Sequence, residues 1–222
     1  ALNAGYNHTC AVLNTGDVAC WGDNGYGQLG NSINSGTSTA NPTPLPVILP
    51  NDSTATAVTA SYRHTCAVLN TGDVACWGDN EYGQLGNSAT SGTANANPTP
   101  FLVVLPDDAT ATAVTAGPFH TCAVLNTGDV ACWGSNIFGK LGNSTNNGTA
   151  TANPVPSLVG LPDGATATAV TAGASHTCAV LNTGVVNCWG HNVRGQLGNS
   201  TNSGEWNANP TPLPMSLLTV PT

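Results

Sequence analysis

The chain has 222 residues, of which 40% are apolar and only 6% are charged, so it is long enough to bury a substantial core. Three Lys and Arg residues stand against eleven Asp and Glu residues, which gives a net charge of −8. This balance argues against nucleic acid and anionic membranes as partners, because both need clustered positive charge. No apolar run is long enough to insert into a membrane and no signal peptide is visible, although Ala1 stands where a mature chain could begin.

The sequence repeats itself four times with a period of 56 residues. The segment CAVLNTGDVACWGDNGYGQLGNS, which begins at Cys10, returns at Cys66 with one change and at Cys122 and Cys178 with a few more. A fixed period in this range is typical of a propeller or a solenoid, in which each unit buries its apolar faces against its neighbours. We therefore predict a single repeat domain over residues 1–222. Its repeats are 1–56, 57–112, 113–168 and 169–222.

The first two strands predicted in each repeat form a β-hairpin. In the first repeat the runs TCAVL and DVACW flank Asn14-Thr15-Gly16, a loop in which Gly16 can adopt the left-handed conformation of a bulge turn. Counting outward from this loop places Cys10 opposite Cys20 in a non-hydrogen-bonded pair. The two Cα atoms of such a pair lie about 4.5 Å apart, at the short end of the range for disulfides. The spacing therefore predicts a cross-strand disulfide.

All eight cysteines fall into pairs of this kind, separated by the same nine residues. The predicted disulfides are Cys10–Cys20, Cys66–Cys76, Cys122–Cys132 and Cys178–Cys188. One alternative is zinc held by His8, Cys10 and Cys20, but structural zinc needs four ligands and usually a closely spaced cysteine pair. The other alternative is free thiols. Because disulfides persist outside a reducing cytosol, the pairs predict an extracellular or cell-surface protein.

The rest of each repeat predicts two further strands. The hairpin is apolar on both faces, as is typical of a sheet buried on both sides. A third strand is predicted at residues 110–115 (TATAVT), and a weaker fourth strand follows the Asn-Pro motif at residues 156–161 (PSLVGL). No segment has a sustained helical period. Four short strands in every 56 residues predict an all-β chain of four β-propeller blades, with one hairpin disulfide in each.

The motifs HTCAVL, DVACWG and GQLGN recur along the chain. In the first unit the recurring residues are Gly5, His8-Thr9, Gly16, Trp21-Gly22, Asn24 and Gly27-Gln28-Leu29-Gly30. This pattern resembles the repeat of the regulator of chromosome condensation family, in all four units and over almost the whole chain. The resemblance implies a β-propeller, and the paired cysteines are similar to those of the family's secreted members. The nuclear exchange factor that gave the family its name resembles this chain in fold only, so the resemblance does not imply that activity here.

Two features depart from the family pattern. The family usually closes a ring of seven blades, whereas this chain carries four repeats, and Lys140 stands where the other repeats have Gln28, Gln84 and Gln196. The chain is four periods long less two residues. That length fits a closed four-blade ring, one segment of a longer array, or a subunit whose last strand is completed by a neighbour.

Neither catalysis nor metal binding is predicted. One histidine precedes a strand at the same position in each unit, namely His8, His64, His120 and His176. None has a nearby nucleophile that is unique to one unit, so we assign these histidines to structural hydrogen bonds. Asp23-Asn24-Gly25 faintly resembles a calcium loop, which needs alternating carboxylates and a late Glu, but Ser135 and His191 replace the aspartate in later units. We therefore expect no enzyme activity, no metal and no cofactor.

The repeats differ from one another mainly in two loops, one just before the repeat histidine and one just after the Trp-Gly-x-Asn motif. Aromatic and Arg residues in such loops are typical of interface hot spots. The candidate ligand-binding residues are Tyr6, Tyr26, Tyr62, Arg63, Tyr82, Phe119, Phe138, Arg194 and Trp206. The alternative is neutral drift on the surface of a repeat. Acceptor sequences for glycosylation occur at Asn7, Asn51, Asn143, Asn147 and Asn199.

Two functions are consistent with these features. The first is a non-enzymatic extracellular structural or adhesive protein that self-associates into an oligomer or a filament, because terminal blades without neighbours would expose apolar faces. The alternative is a secreted β-propeller that binds a protein or carbohydrate ligand through its aromatic loop residues.

Overall fold

The computed structural model describes residues 1–162 and 164–216, which form four antiparallel sheets of four strands each. The first blade contains β1 (Leu2–Ala4), β2 (His8–Val12), β3 (Val18–Gly22) and β4 (Asn41–Val47). The second contains β5 (Ala55–Ala60), β6 (His64–Leu69), β7 (Val74–Gly78) and β8 (Asn97–Val103). The third contains β9 (Ala111–Gly117), β10 (His120–Leu125), β11 (Val130–Gly134) and β12 (Ser157–Leu158). The fourth contains β13 (Ala167–Ala172), β14 (His176–Leu181), β15 (Val186–His191) and β16 (Ala208–Pro214).

Strands follow one another in chain order across each sheet, and two single-turn 3₁₀ helices, Pro50–Asp52 and Pro106–Asp108, connect the first three blades. In each of the later blades the first strand begins about two residues before the predicted repeat boundary, as Ala55 does. No helix in the described residues is long and apolar enough to cross a membrane.

The predicted hairpin and its disulfide are confirmed in every blade. Strand β2 pairs with β3 so that Cys10 lies opposite Cys20, and Gly16 closes the loop at a φ of 87°. The Cα atoms of the bridged cysteines are 4.2 Å apart in this blade and 4.1 Å apart in the other three. None of the eight cysteines is a free thiol. The short loop and the alternation of the strands together place the two sulfur atoms on one face of the hairpin.

The predicted fourth strand is confirmed in every blade, but its bounds differ from the prediction, and in the third blade, where residues 156–161 were predicted, it spans only Ser157–Leu158. In the first and second blades it begins at the Asn-Pro motif itself (Asn41 and Asn97) rather than after it, and only the third blade has the short strand Ser157–Leu158. The motif can lie within the strand because the fourth strand is at the outer edge of its sheet. Proline has no N–H group, and at the edge no further strand is present to need one.

The core lies between the blades rather than within them. The cysteine face of the first blade (Cys10, Val18 and Cys20) packs against the tryptophan face of the second blade, which includes Ala75 and Trp77. The same packing joins the second blade to the third and the third to the fourth. Every residue of the hairpin strands β6, β7, β10 and β11 is buried, which confirms that the hairpin buries both faces where it has two neighbours.

The four blades form an open arc. Strands pack across consecutive blades, β2 against β5, β6 against β9 and β10 against β13, and the described strands of the first and fourth blades have no comparable packing. Within residues 1–162 and 164–216, no other blade therefore covers the tryptophan face of the first blade or the cysteine face of the fourth. Val180 is 38% exposed, whereas its counterpart Val124 is 3% exposed. This arrangement excludes a closed four-blade ring made by one copy of the chain.

We expect loss of one internal disulfide to lower the free energy of unfolding by about 2–3 kcal/mol, because each bridge closes a short loop in the unfolded chain. The variant is Cys66→Ala/Cys76→Ala, and the measurement is denaturant unfolding under non-reducing conditions.

The mass of the intact wild-type protein should lie about 8 Da below its reduced mass, two hydrogens for each of four bridges. A peptide map with a bridge between two repeats would contradict the register.

Candidate functional site

The loop after the third strand of each blade is held by an asparagine side chain. In the first blade Asn24 accepts a hydrogen bond from the Leu29 N–H at 3.0 Å and donates to the carbonyls of Asn31 at 2.9 Å and Ile33 at 2.8 Å. Because Asn24 is fully buried, this network fixes the loop to the end of β3. The equivalent asparagines Asn80, Asn136 and Asn192 accept the same hydrogen bond in the other blades.

The repeat histidines join neighbouring blades. His8 Nε2 lies 2.8 Å from Thr65 Oγ1, and the Thr65 hydroxyl donates to the Gln28 carbonyl at 2.8 Å. Because that hydroxyl proton is already used, His8 must donate from Nε2, which leaves its buried Nδ1 unprotonated and without a partner. Two further pairs repeat the contact, His64 with Thr121 and His120 with Thr177. For these three histidines the structural role that the sequence predicted is a hydrogen bond between blades, and no such bond is made by His176 within the described residues.

Burial keeps these histidines neutral. Desolvation lowers the pKa of His8 to about 4, partly opposed by the negative charge of Asp23. Desolvation, with a smaller effect from His8, lowers the pKa of His64 to about 3. Both imidazole rings are therefore uncharged near neutral pH. No group of three or more His, Cys, Asp or Glu side chains in the described residues is arranged to hold a metal ion.

The variable loops bring six of the candidate ligand-binding residues together. We call this set the aromatic face, and it comprises Tyr6, Tyr26, Tyr62, Arg63, Tyr82 and Phe119. The Tyr6 and Tyr62 rings meet edge to face at 5.0 Å, the Tyr62 and Phe119 rings at 5.9 Å, and the Tyr82 and Phe119 rings at 5.3 Å. The result is one continuous aromatic surface across the first three blades.

A guanidinium group is inserted into this surface. Arg63 Cζ lies 4.2 Å from the centre of the Tyr26 ring and 4.5 Å from the centre of the Tyr62 ring. An arginine placed over two aromatic rings is held by cation–π attraction and loses little freedom when a ligand binds. The amine of the buried Lys140 lies 5.8 Å from the centre of the Phe119 ring, so two of the chain's three cationic side chains lie at this face.

The remaining candidates do not join the aromatic face. Phe138 stacks on His191 at 4.3 Å, and Trp206 lies 4.9 Å from His191, so these three residues form a separate cluster between the third and fourth blades. Arg194 is exposed and makes no aromatic contact within the described part of the chain. His191 and Lys140 were not predicted as site residues, and the signal that could have found them is their departure from the repeat.

The glycosylation acceptors differ in accessibility. Asn7 and Asn51 are exposed, whereas the Asn143 amide donates to Ser157 Oγ at 2.9 Å and the Asn199 side chain accepts from the Thr201 N–H at 3.1 Å. Asn147 is half-buried. Modification at these positions stays a prediction.

The fold and the repeat contacts define this chain as a consecutive segment of a β-propeller. Models of the regulator of chromosome condensation (RCC1) repeat match residues 1–28, 55–84, 111–140 and 167–196, and in a second form residues 15–68, 71–124 and 127–180. The chain belongs to the RCC1 repeat family. Proteins of this family are mostly binding or regulatory proteins.

Two curated relatives come from Arabidopsis thaliana. The mitochondrial RCC1 domain-containing protein RUG3 is 32% identical over 87% of this chain, and the ultraviolet-B receptor UVR8 is 32% identical over 88%. The chain spans 42% of the length of each of them. The solved structure of Prp20p from Saccharomyces cerevisiae has a TM-score of 0.80 at 22% identity, covering 98% of this chain and 50% of Prp20p. This likeness confirms the propeller fold.

We expect the protein to lose stability as the pH falls below neutrality. The unfolded histidines take up protons at their ordinary pKa of about 6.5, whereas folded His8 and His64 stay neutral until about pH 4 and 3. The unfolded state therefore binds more protons over this range, and stability falls by up to about 1.4 kcal/mol per pH unit for each such histidine. Denaturant unfolding at several pH values between pH 8 and pH 4.5 gives the free energy of unfolding as a function of pH. The variant His64→Gln should show a shallower slope, and equal slopes would contradict the assignment.

Proposed function

We propose that this protein is a non-enzymatic extracellular binding module that recognises a protein ligand through the aromatic face. The observation that carries the proposal is the continuity of that face, which joins aromatic rings from three blades around one guanidinium group. Tyr and Arg are the residue types most often found at the centre of protein interfaces. Their mutual packing holds them in place before a ligand arrives, which lowers the entropic cost of binding.

The geometry favours a protein over a carbohydrate. Sugar rings bind best to flat, open aromatic faces, whereas Tyr62 is met at its ring by Tyr6, Phe119 and Arg63. The aromatic face combines tyrosine rings and hydroxyls with a guanidinium group, and Tyr6 is 71% exposed. Such a mixture of apolar and hydrogen-bonding groups suits the irregular surface of a protein.

Two further observations support the proposal. The reported study of Prp20p, which shares the fold, concerns its binding to the proteins Gsp1p and histones. The four disulfides favour an extracellular or cell-surface location, because a reducing cytosol would keep the thiols free. The relative RUG3 is mitochondrial by name, so an extracellular location is inferred from the cysteines of this chain and not from its relatives.

We expect the double variant Tyr62→Ala/Arg63→Ala to weaken binding at least tenfold, because it removes the centre of the aromatic face. The immobilised wild-type protein first captures candidate partners from an extracellular extract, and a purified partner is then titrated against each variant. The matched control is Val104→Ala, an exposed residue outside the aromatic face. Equal affinity of the double variant and the control would overturn the proposal, as would ligands found only on a glycan array.

Self-assembly is a second candidate function, favoured by the complementary ends of the arc. At each internal junction the carbonyl of one residue accepts two hydrogen bonds from the next blade. For example, Gln28 accepts from Trp77 Nε1 at 2.9 Å and from Thr65 Oγ1 at 2.8 Å. The same pair of hydrogen bonds reaches the carbonyls of Gln84 and Lys140. The contacts between blades are thus one set repeated three times.

The first blade carries the donors of this contact, and the fourth blade carries its acceptor. In the described residues, Trp21 Nε1 and Thr9 Oγ1 have no acceptor on a preceding blade, and the Gln196 carbonyl has no donor from a following one. The first blade of a second copy therefore fits the fourth blade of the first copy, as successive blades fit within the chain. Such a contact joins two different faces, so it produces either a ring or a filament. This is the structural or adhesive function that the sequence predicted, and we propose it as the alternative to ligand binding.

We expect the wild-type protein to self-associate in a concentration-dependent manner and Val180→Glu to be monomeric, because the variant places a charge on the open cysteine face of the fourth blade. Val104→Glu is the matched control and should associate like the wild type, since Val104 lies away from both end faces. Sedimentation velocity over a range of concentrations measures the mass. A wild-type monomer of 22.2 kDa at every concentration would rule out this second function.

A further inference from the structure

The loop after the third strand closes on acceptors supplied by two side chains. In the first blade Asp23 Oδ1 accepts from the Gly25 N–H at 3.0 Å, and Gln28 Oε1 accepts from the Tyr26 N–H at 2.8 Å. Gln28 Nε2 also donates to Asp23 Oδ2 at 2.8 Å, which joins the two side chains. One carboxylate and one amide therefore satisfy the donors of the loop.

The second and fourth blades retain acceptors at these positions. In the second blade Asp79 Oδ1 accepts from the Glu81 N–H at 3.0 Å, and Gln84 Oε1 accepts from the Tyr82 N–H at 2.8 Å. In the fourth blade Gln196 Oε1 accepts from the Arg194 N–H at 2.8 Å, and Gln196 Nε2 lies 3.2 Å from His191 Nδ1.

The third blade alone has lost both the carboxylate and the amide oxygen. Ser135 replaces the aspartate and Lys140 replaces the glutamine, so a hydroxyl that can donate or accept stands in place of the carboxylate, and an ammonium group that only donates stands in place of the amide. Ser135 is 1% exposed and its Oγ has no hydrogen-bond partner. The N–H groups of Ile137 and Phe138 have no acceptor within the described residues. In the first blade the Asp23 carboxylate accepts from the Gly25 N–H and from Gln28 Nε2, and the counterparts of these two donors in the third blade are the Ile137 N–H and the Lys140 amine.

The loop keeps its shape despite this loss. Asn136 still accepts from the Leu141 N–H at 3.0 Å, and the Gly139 N–H still donates to the Asn136 carbonyl at 3.0 Å, as the equivalent groups do in the first blade. The loop has therefore not collapsed to satisfy its own donors.

Lys140 is the only lysine in the chain and is 2% exposed. A buried ammonium group is costly unless an anion pairs with it. Burial lowers the pKa of Lys140 to about 8. Burial is also the main cause of the lowered pKa of His120, and the positive charge of Lys140 lowers that pKa further.

We propose that Ser135, the Lys140 amine and the backbone N–H group of Ile137 form a binding site for a carboxylate group of a ligand. The external carboxylate takes the position of the side-chain carboxylate that Asp23 supplies in the first blade. Its source is an acidic side chain or a C-terminus. Phe119 at the aromatic face lies beside the Lys140 amine, so a protein bound there could supply this group. Only that last step depends on the proposed function, because small carboxylates test the site directly.

The single lysine makes the experiment direct. The protein is produced with ¹³C-labelled lysine, and the Cε resonance of Lys140 is followed by NMR through a pH titration in sodium acetate and in sodium chloride of equal ionic strength. We expect acetate to raise the pKa of Lys140 by about one unit, since a carboxylate stabilises the charged amine. N-acetylaspartate amide and N-acetylglycine then distinguish a side-chain carboxylate from a C-terminal one by the larger shift.

Two variants serve as controls, and both restore residues that the other repeats already carry. Ser135→Asp supplies the carboxylate internally, so its Lys140 pKa should be high in chloride and unchanged by acetate. Lys140→Gln, followed by thermal unfolding, should lose the stabilisation that acetate gives the wild type. Identical titrations of the wild type in acetate and chloride would overturn the proposal, as would a larger shift with inorganic phosphate. Failure of the aromatic-face variants to affect partner binding would leave this result unchanged.

Discussion

The structure depends on one contact between blades, in which a buried tryptophan and a threonine of one blade donate to a single carbonyl of the blade before it. The tryptophan side chain packs against the disulfide of the preceding blade, and its indole N–H shares the buried carbonyl with the threonine hydroxyl, so the carbonyl accepts two hydrogen bonds. Apolar packing and hydrogen bonding thus act at the same point. Because neither face of a blade is satisfied without a neighbour, the fold is stable only as a series.

Most of the fold could be predicted because each local signal occurs four times, once in every repeat. The nine-residue spacing of the cysteines fixes the hairpin register, and four copies exclude chance. The bounds of the fourth strand were predicted less well, because prolines normally exclude strand and only the edge position in the sheet tolerates them. The opening of the arc could not be predicted, since blade curvature comes from packing angles that no single repeat encodes.

The candidate site was predictable in part. Tyr6 and Tyr62 are one period apart, so a propeller necessarily places them on adjacent blades. The position of Arg63 over Tyr26 depends on how two different loops meet, which the sequence does not state. Lys140 was visible as a departure from the repeat, but its importance depends on burial and on the missing acceptors around it. Departures from a repeat are therefore the positions at which a repeat protein carries individual chemistry.

The prolines of the outer strands bear on how such a chain stays dispersed. Its net charge of −8 repels other copies, but only 6% of its residues are charged, and the outer strand of each blade is a free sheet edge. The first blade presents Pro42, Pro44 and Pro46 along that edge, which removes the N–H groups that another strand would need in order to pair. The backbone of this outer strand itself therefore opposes pairing with an added strand, so the Thr, Ser and Asn side chains of the surface do not have to protect that edge.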